Sequence, residues 1–141
     1  MSALARIGDS VRVRVEIPKG SLVKRRANGS VDFISPLPCP FDYGSLPDTR
    51  AADGDPIDAL LVGEPQGRRR GTQVDARVLA IVRFIDAGAE DPKLVCGTPP
   101  LSPKDRRRVE RFFRLYAPLK RALARLRRQR GETRYLGLDE G

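Results

Sequence analysis

The stretch DGDPID places Asp53, Asp55 and Asp58 within six positions. Gly54 occupies no side-chain space between the first two, and Pro56 biases Asp55 toward an extended backbone, in which Asp53 and Asp55 face the same way. Three carboxylates so close together do not all stay ionised without a cation. Oxygen donors suit hard ions, so the chemistry expected is binding of Mg²⁺, Mn²⁺ or Ca²⁺. A second acidic group, Asp86, Glu90 and Asp91, lies in the turn DAGAED. An EF-hand does not account for the first group. Its sixth loop position, where glycine is required, is Asp58, its fifth is Ile57, and no amphipathic helices flank it. The chain has no histidine, which excludes a Ser-His-Asp or Cys-His nucleophile, a His general base and a His-ligated zinc.

The elements that must hold these acids are short strands. VRVRVEI (11–17) alternates apolar and polar residues as a strand half-buried on one face does. SVDFI (30–34), ALLV (59–62), the β-branched run VDARVLAIVRFI (74–85) and LVC (94–96) read as further strands. Between them SPLPCPFDYGSLPDT (35–49) carries four prolines and a glycine, which argue against regular structure. If strands 59–62 and 74–85 are neighbours, both acidic groups fall at one end of a sheet, a site for two or more Mg²⁺ ions.

Beyond residue 101 the pattern turns helical. Ser102, Pro103 and Asp105 form a helix-start signature. Val109, Phe112, Phe113 and Tyr116 then make one apolar stripe, in which both phenylalanines are expected in the core. Pro118 is expected to interrupt or bend the helix, with Leu119, Ala122, Leu123 and Leu126 continuing in a second piece. The expectation is one domain over 1–141, with a β-rich core over about 10–97 and a helical part over about 102–130. A small barrel or curved sheet with a C-terminal helix is the economical architecture.

Charge is concentrated in that helical part. From Lys104 to Arg130 there are twelve basic and two acidic residues, in a chain whose net charge is +9. Such a face suits a polyanion, and nucleic acid is a secondary expectation because the basic face lacks aromatic stacking residues. No stretch approaches the ~18 apolar residues that cross a bilayer. The N-terminus shows no secretory pattern, and a cytoplasmic protein is expected. Cys39 and Cys96 lack disulfide-framework or zinc spacing and are expected to be buried or incidental thiols.

Four ordered blocks, EIPKGSLVK (16–24), CPFDYGSLPDT (39–49), ADGDPIDALLV (52–62) and DAGAEDPKLV (86–95), give the chain a specific resemblance. It resembles the soluble Mg²⁺-dependent inorganic pyrophosphatases of the first family, and FFRLY (112–116) is similar to the helix that ends in their Tyr-Lys pair. The resemblance implies an α+β fold, a five-stranded OB-like β-barrel with flanking helix, and in bacteria usually a homo-oligomer, a hexamer. It implies hydrolysis of pyrophosphate to two phosphates with Mg²⁺, for which Mn²⁺ is a possible substitute. By the same resemblance Asp53, Asp58, Asp86, Asp91 and Glu16 are metal ligands, and Asp55 is the general base. Lys24, Tyr43, Lys93 and Tyr116 hold phosphate oxygens. Metals and cations are needed because the charges of pyrophosphate repel an incoming hydroxide.

The sequence departs from the family pattern at four places. Arg26 stands where an acid is expected, Phe33 where an Arg is expected, Cys39 where a Tyr is expected, and Ala117 where a Lys is expected after Tyr116. Loss of each transition-state donor costs ~10²–10³ in turnover, without simple multiplication within one site. Two alternatives therefore stay open. One is a catalytically weak or inactive relative binding phosphate, nucleic acid or a partner through the Arg-rich helix; the other is an enzyme for a related phosphoanhydride.

Overall fold

The alternation of VRVRVEI is expressed as strand β1, Ser10–Ile17, with Val13 and Val15 fully buried. The computed structural model describes residues 5–25, 30–34, 37–50 and 54–141. Asp53 and Arg26 lie outside the described residues, as do the side chains of Lys24 and Phe33. A short hairpin follows, formed by β2 (Val23–Arg25) and β3 (Val31–Ile34). Next come β4 (Asp42–Leu46), β5 (Ile57–Leu61), β6 (Gln73–Asp86), β7 (Ala89–Glu90) and β8 (Lys93–Gly97). The chain ends with helix α1 (Pro103–Leu126) and strand β9 (Arg134–Asp139).

Five strands close into a ring. β1 pairs with β4, β4 with β5, β5 with β8, β8 with β6, and β6 returns to β1. All these pairings are antiparallel except β5 with β8. Inside the ring Val13, Val15, Leu46, Ile57, Ala59, Leu61, Leu94 and Cys96 form one apolar core. The second core lies on the outer face, where Leu60, Ala80, Val82, Phe84 and Val95 meet Val109, Phe112, Phe113 and Tyr116 of α1. The long strand β6 serves both. A register shift between Val78 and Ala80 turns the even-numbered residues from the inner core, where Val78 packs, to the outer one, where Ala80, Val82 and Phe84 pack. α1 therefore has an apolar bed on the outside of a ring that is already filled within.

Several expectations change here. β5 and β6 are not neighbours, because β8 lies between them. β4 forms inside the segment expected to be irregular. Its five residues, DYGSL, contain no proline, and the prolines of that segment flank them. Gly44 in β4 lies so close to β1 that a Cβ there would sit 1.7 Å from the Arg14 carbonyl oxygen. β9 pairs with β6 beyond the expected β-rich span. α1 is one continuous helix, capped by the Ser102 hydroxyl, which accepts from the Asp105 N–H at 3.1 Å. Pro118 does not split it, because Pro118 and Arg114, whose carbonyl it deprives of a donor, both lie on the exposed side.

Candidate active site

Strand direction gathers the acids at one end of the sheet. β5 and β8 are parallel, so Asp58 at the start of β5 lies beside Lys93 at the start of β8. β6 runs antiparallel to β8, which brings Asp86, at its end, to the same rim. Residue parity places Asp58 with Leu60, and Lys93 with Val95, on the outer face beneath α1. There Lys93, 2% exposed, donates from Nζ to Asp58 Oδ2 at 2.8 Å and to Asp91 Oδ2 at 2.6 Å. Its ammonium also stands 5.6 Å from the centroid of the Phe84 ring.

The charges at this rim are interdependent. Burial pulls Lys93 toward its neutral form, but Asp58 and Asp91 more than offset this, and its pKa is raised above the ordinary lysine value. Lys93 is thus a fixed cation. Burial raises the pKa of Asp91, Lys93 and Lys120 pull it down, Asp58 pushes it up, and the balance is a rise. Tyr43 is raised well above its usual value, first by burial, then by Asp58, Tyr116 and Asp91. Its hydroxyl consequently keeps its proton at neutral pH and is available as a donor. Tyr116 lies in the aromatic cluster with Phe84, Phe112 and Phe113, so a core role and a place at the site coincide in one residue.

Three contributors were not singled out from sequence. Lys120, counted there only among the basic residues, pairs with Asp86 Oδ2 at 2.9 Å and places Nζ 5.6 Å from the Tyr116 ring centroid. Its i+4 spacing from Tyr116 is the signal that would have found it. Thr133, buried at the start of the turn into β9, donates from Oγ1 to Asp86 Oδ1 at 3.4 Å and accepts from the Ala87 N–H at 3.1 Å. Asp42, fully buried, accepts from the backbone N–H groups of Lys19 at 2.8 Å, Gly67 at 3.0 Å and Arg68 at 3.2 Å. It also pairs with the Arg68 guanidinium at 3.1 Å. Asp42 thereby ties the turn after β1 and the loop after β5 to β4, next to Tyr43.

The other expected site residues lie around this centre. Asp55 is exposed, three residues before Asp58, on a loop held by the Ile57 N–H donating to Thr49 Oγ1 at 3.0 Å and Arg50 Nη1 donating to the Gly54 carbonyl at 3.0 Å. Gly54 takes a φ of +86°, a conformation that favours glycine. Glu16 is half-buried in β1, at the register shift opposite Tyr43 and Gly44, and neither Glu16 nor Asp55 pairs with Lys93. Among the described residues no three acidic or thiol side chains close around a point at metal-ligand spacing. The chemistry nevertheless fits a hard divalent cation. The donors are carboxylate oxygens, two of them already share one cation, and Asp91 is held partly protonation-prone by its burial. Cys39 and Cys96 are buried thiols pushed up to about 12 by burial, and so are not nucleophiles at neutral pH.

The closed five-strand ring thus carries, beneath one helix, a rim of carboxylates, ammonium groups and tyrosines. The family model of inorganic pyrophosphatase matches residues 13–132. The chain belongs to the inorganic pyrophosphatase family. Over 96 residues it is 38% identical to an inorganic pyrophosphatase of Neisseria meningitidis, a match that covers 63% of this chain and 54% of the relative. Over 101 residues it is 36% identical to one from Geobacillus stearothermophilus, covering 67% and 60%. The chain spans about half the length of the curated relatives it matches. The crystal structure of an inorganic pyrophosphatase from Neisseria gonorrhoeae superposes with a TM-score of 0.73 at 27% identity, over 94% of this chain and 83% of that one. The Thermus thermophilus inorganic pyrophosphatase, at 23% identity, shares the fold with a TM-score of 0.72 over 96% and 87%. No helix among the described residues is long and apolar enough to cross a membrane.

Proposed function

We propose that this protein hydrolyses inorganic pyrophosphate to two phosphates with Mg²⁺. The observation that carries the reading is the convergence of Asp58 and Asp91 on buried Lys93, close to Tyr43 and Tyr116, in a chain of this family. Asp53, Asp58, Asp86, Asp91 and Glu16 would hold Mg²⁺, which supplies charge neutralisation and makes the attacking water more acidic. Mn²⁺ is the expected substitute.

Within that arrangement the chain's own groups have distinct tasks. Asp55 accepts the proton of a water whose oxygen bonds to one phosphorus, the bond from that phosphorus to the bridging oxygen breaks, and the second phosphate leaves with the bridging oxygen. Lys93 stays protonated near neutral pH and gives the departing phosphate a fixed positive charge. Tyr43 offers a neutral hydroxyl donor, Tyr116 a second hydroxyl and Lys24 a further cation to the phosphate oxygens. Cys39, neutral and buried in the outer core, does not replace the donor lost at its position. Assembly as a homo-oligomer and a cytoplasmic location belong to the same reading.

Phosphate release from pyrophosphate, measured with Mg²⁺ and then Mn²⁺ against identically purified Asp55→Asn, tests the proposal. Release by the wild type that disappears in the variant supports it. Release no faster than the variant's with either metal overturns it, and best turnover on a nucleotide or a short polyphosphate changes the substrate.

A further inference from the structure

Ala117 follows Tyr116 and is apolar, 4% exposed and packed in the outer core. It cannot contribute the cation expected beside that tyrosine. Lys120 lies one turn further along the same face of α1, since residues four apart on a helix are neighbours. Its side chain is 20% exposed and runs past the Tyr116 ring to Asp86. The ammonium group is close enough to the centre to influence it. Its partner Asp86 ends β6 at the rim where Asp58 and Lys93 begin β5 and β8. Two like charges are thus held at one rim beside the carboxylates of Asp58, Asp91 and Asp86.

The two lysines differ in access to solvent, with side-chain exposures of 3% for Lys93 and 20% for Lys120. Lys93 is enclosed between Asp58 and Asp91, whereas Lys120 approaches from the more open side, along the helix. An ammonium group carries a full charge and three donors and can hold several partners at once, so a substrate anion can join Asp86 around it. We infer that Lys120 is a phosphate-binding residue of this site, holding an oxygen of the substrate's phosphoryl group and replacing from one helical turn away the cation absent at Ala117. This rests on the pyrophosphate reading for the identity of the substrate, but not for the anion-binding chemistry.

The test is calorimetric titration with methylenediphosphonate, a pyrophosphate analogue that is not hydrolysed, first without divalent metal and then with Mg²⁺. Lys120→Met is expected to bind roughly tenfold to a hundredfold more weakly in both, the range for one lost hydrogen bond to a charged group. Lys120→Arg should stay within a few-fold of the wild type. Asp86→Asn breaks the same ion pair from the other side, so a purely structural role predicts that it behaves like Lys120→Met. The inference predicts instead that, without metal, Asp86→Asn binds the analogue as well as or better than the wild type. Equal binding by Lys120→Met and the wild type, matching metal-free losses in Lys120→Met and Asp86→Asn, or no binding by the wild type in either buffer overturns it. If the wild type releases no phosphate from pyrophosphate while Lys120→Met still loses the analogue, the activity reading fails and the role of Lys120 stands. If the wild type turns over and Lys120→Met binds normally, the reverse holds.

Discussion

Replacing Lys93 by Met would leave two carboxylates facing each other where one ammonium group now separates them. Methionine keeps most of the side-chain volume, so the loss is mainly electrostatic. Breaking a buried ion pair by removing one partner costs about 3–5 kcal/mol, because the remaining charge is left uncompensated. The Asp58 and Asp91 side chains are 24% and 21% exposed, and water reaching them favours the lower end, about 3 kcal/mol. For a chain of this size that corresponds to a fall of about 10 °C in the thermal midpoint. The pH dependence has a definite sign. The pKa of Asp91 is already raised by burial, and loss of Lys93 raises it further, so the folded state holds that proton more tightly than the unfolded chain. The deficit of the variant is therefore greatest near neutral pH, where Asp91 is ionised, and shrinks as pH falls through the raised value. The wild type behaves otherwise. The contribution of Lys93 is fully present below the ordinary lysine value of 10.5 and is lost only as pH rises through its higher folded value. Denaturant unfolding of both proteins at pH 7.5 and pH 5, with and without Mg²⁺, measures this, and Mg²⁺ should stabilise the variant more than the wild type. A variant within about 1 kcal/mol of the wild type at pH 7.5, against the 3–5 kcal/mol expected for a broken buried pair, would refute the reasoning. So would a deficit that does not shrink at pH 5.

Asp55→Asn should reduce phosphate release by roughly 10²–10⁴, the usual contribution of a general base, while stability changes by no more than about 0.5 kcal/mol because the side chain is exposed. Loss of activity accompanied by a large drop in the unfolding midpoint would instead mark a structural role. Gly44→Ala must force β1 and β4 apart, since the added Cβ would lie 1.7 Å from the Arg14 carbonyl oxygen, and soluble folded protein should fall sharply. A normally folded variant, judged by circular dichroism, would show that the strands are not held so closely. Asp42→Ala leaves three backbone N–H groups and Arg68 without their common acceptor and should destabilise by about 3–5 kcal/mol in urea. An effect below 1 kcal/mol would mean that water replaces the carboxylate.

Much of the site's chemistry is local and therefore legible in sequence. The spacing in DGDPID, the lack of histidine and the order of four sequence blocks indicate carboxylates, cations and a family, because each is a property of neighbouring residues. The β1 alternation, the Ser102 cap and the stripe from Val109 to Tyr116 are local for the same reason. Other features depend on partners distant in the chain. No local pattern indicates that β8 enters between β5 and β6, or that β5 and β8 are parallel, yet these pairings bring Asp58, Asp91 and Asp86 to one rim. The register shift near Leu79 is equally hidden. A strictly alternating reading of β6 puts Val78, Ala80 and Val82 on one face, and the shift divides them between two cores. Asp42, Thr133 and Lys120 look like ordinary polar residues until folding buries or pairs them. The sequence by itself determined which chemical groups are available and most elements that carry them, since periodicity, capping and motif spacing act over a few residues. Only the tertiary structure decided which charges meet, because burial and pairing energies arise when segments dozens of residues apart displace the same water.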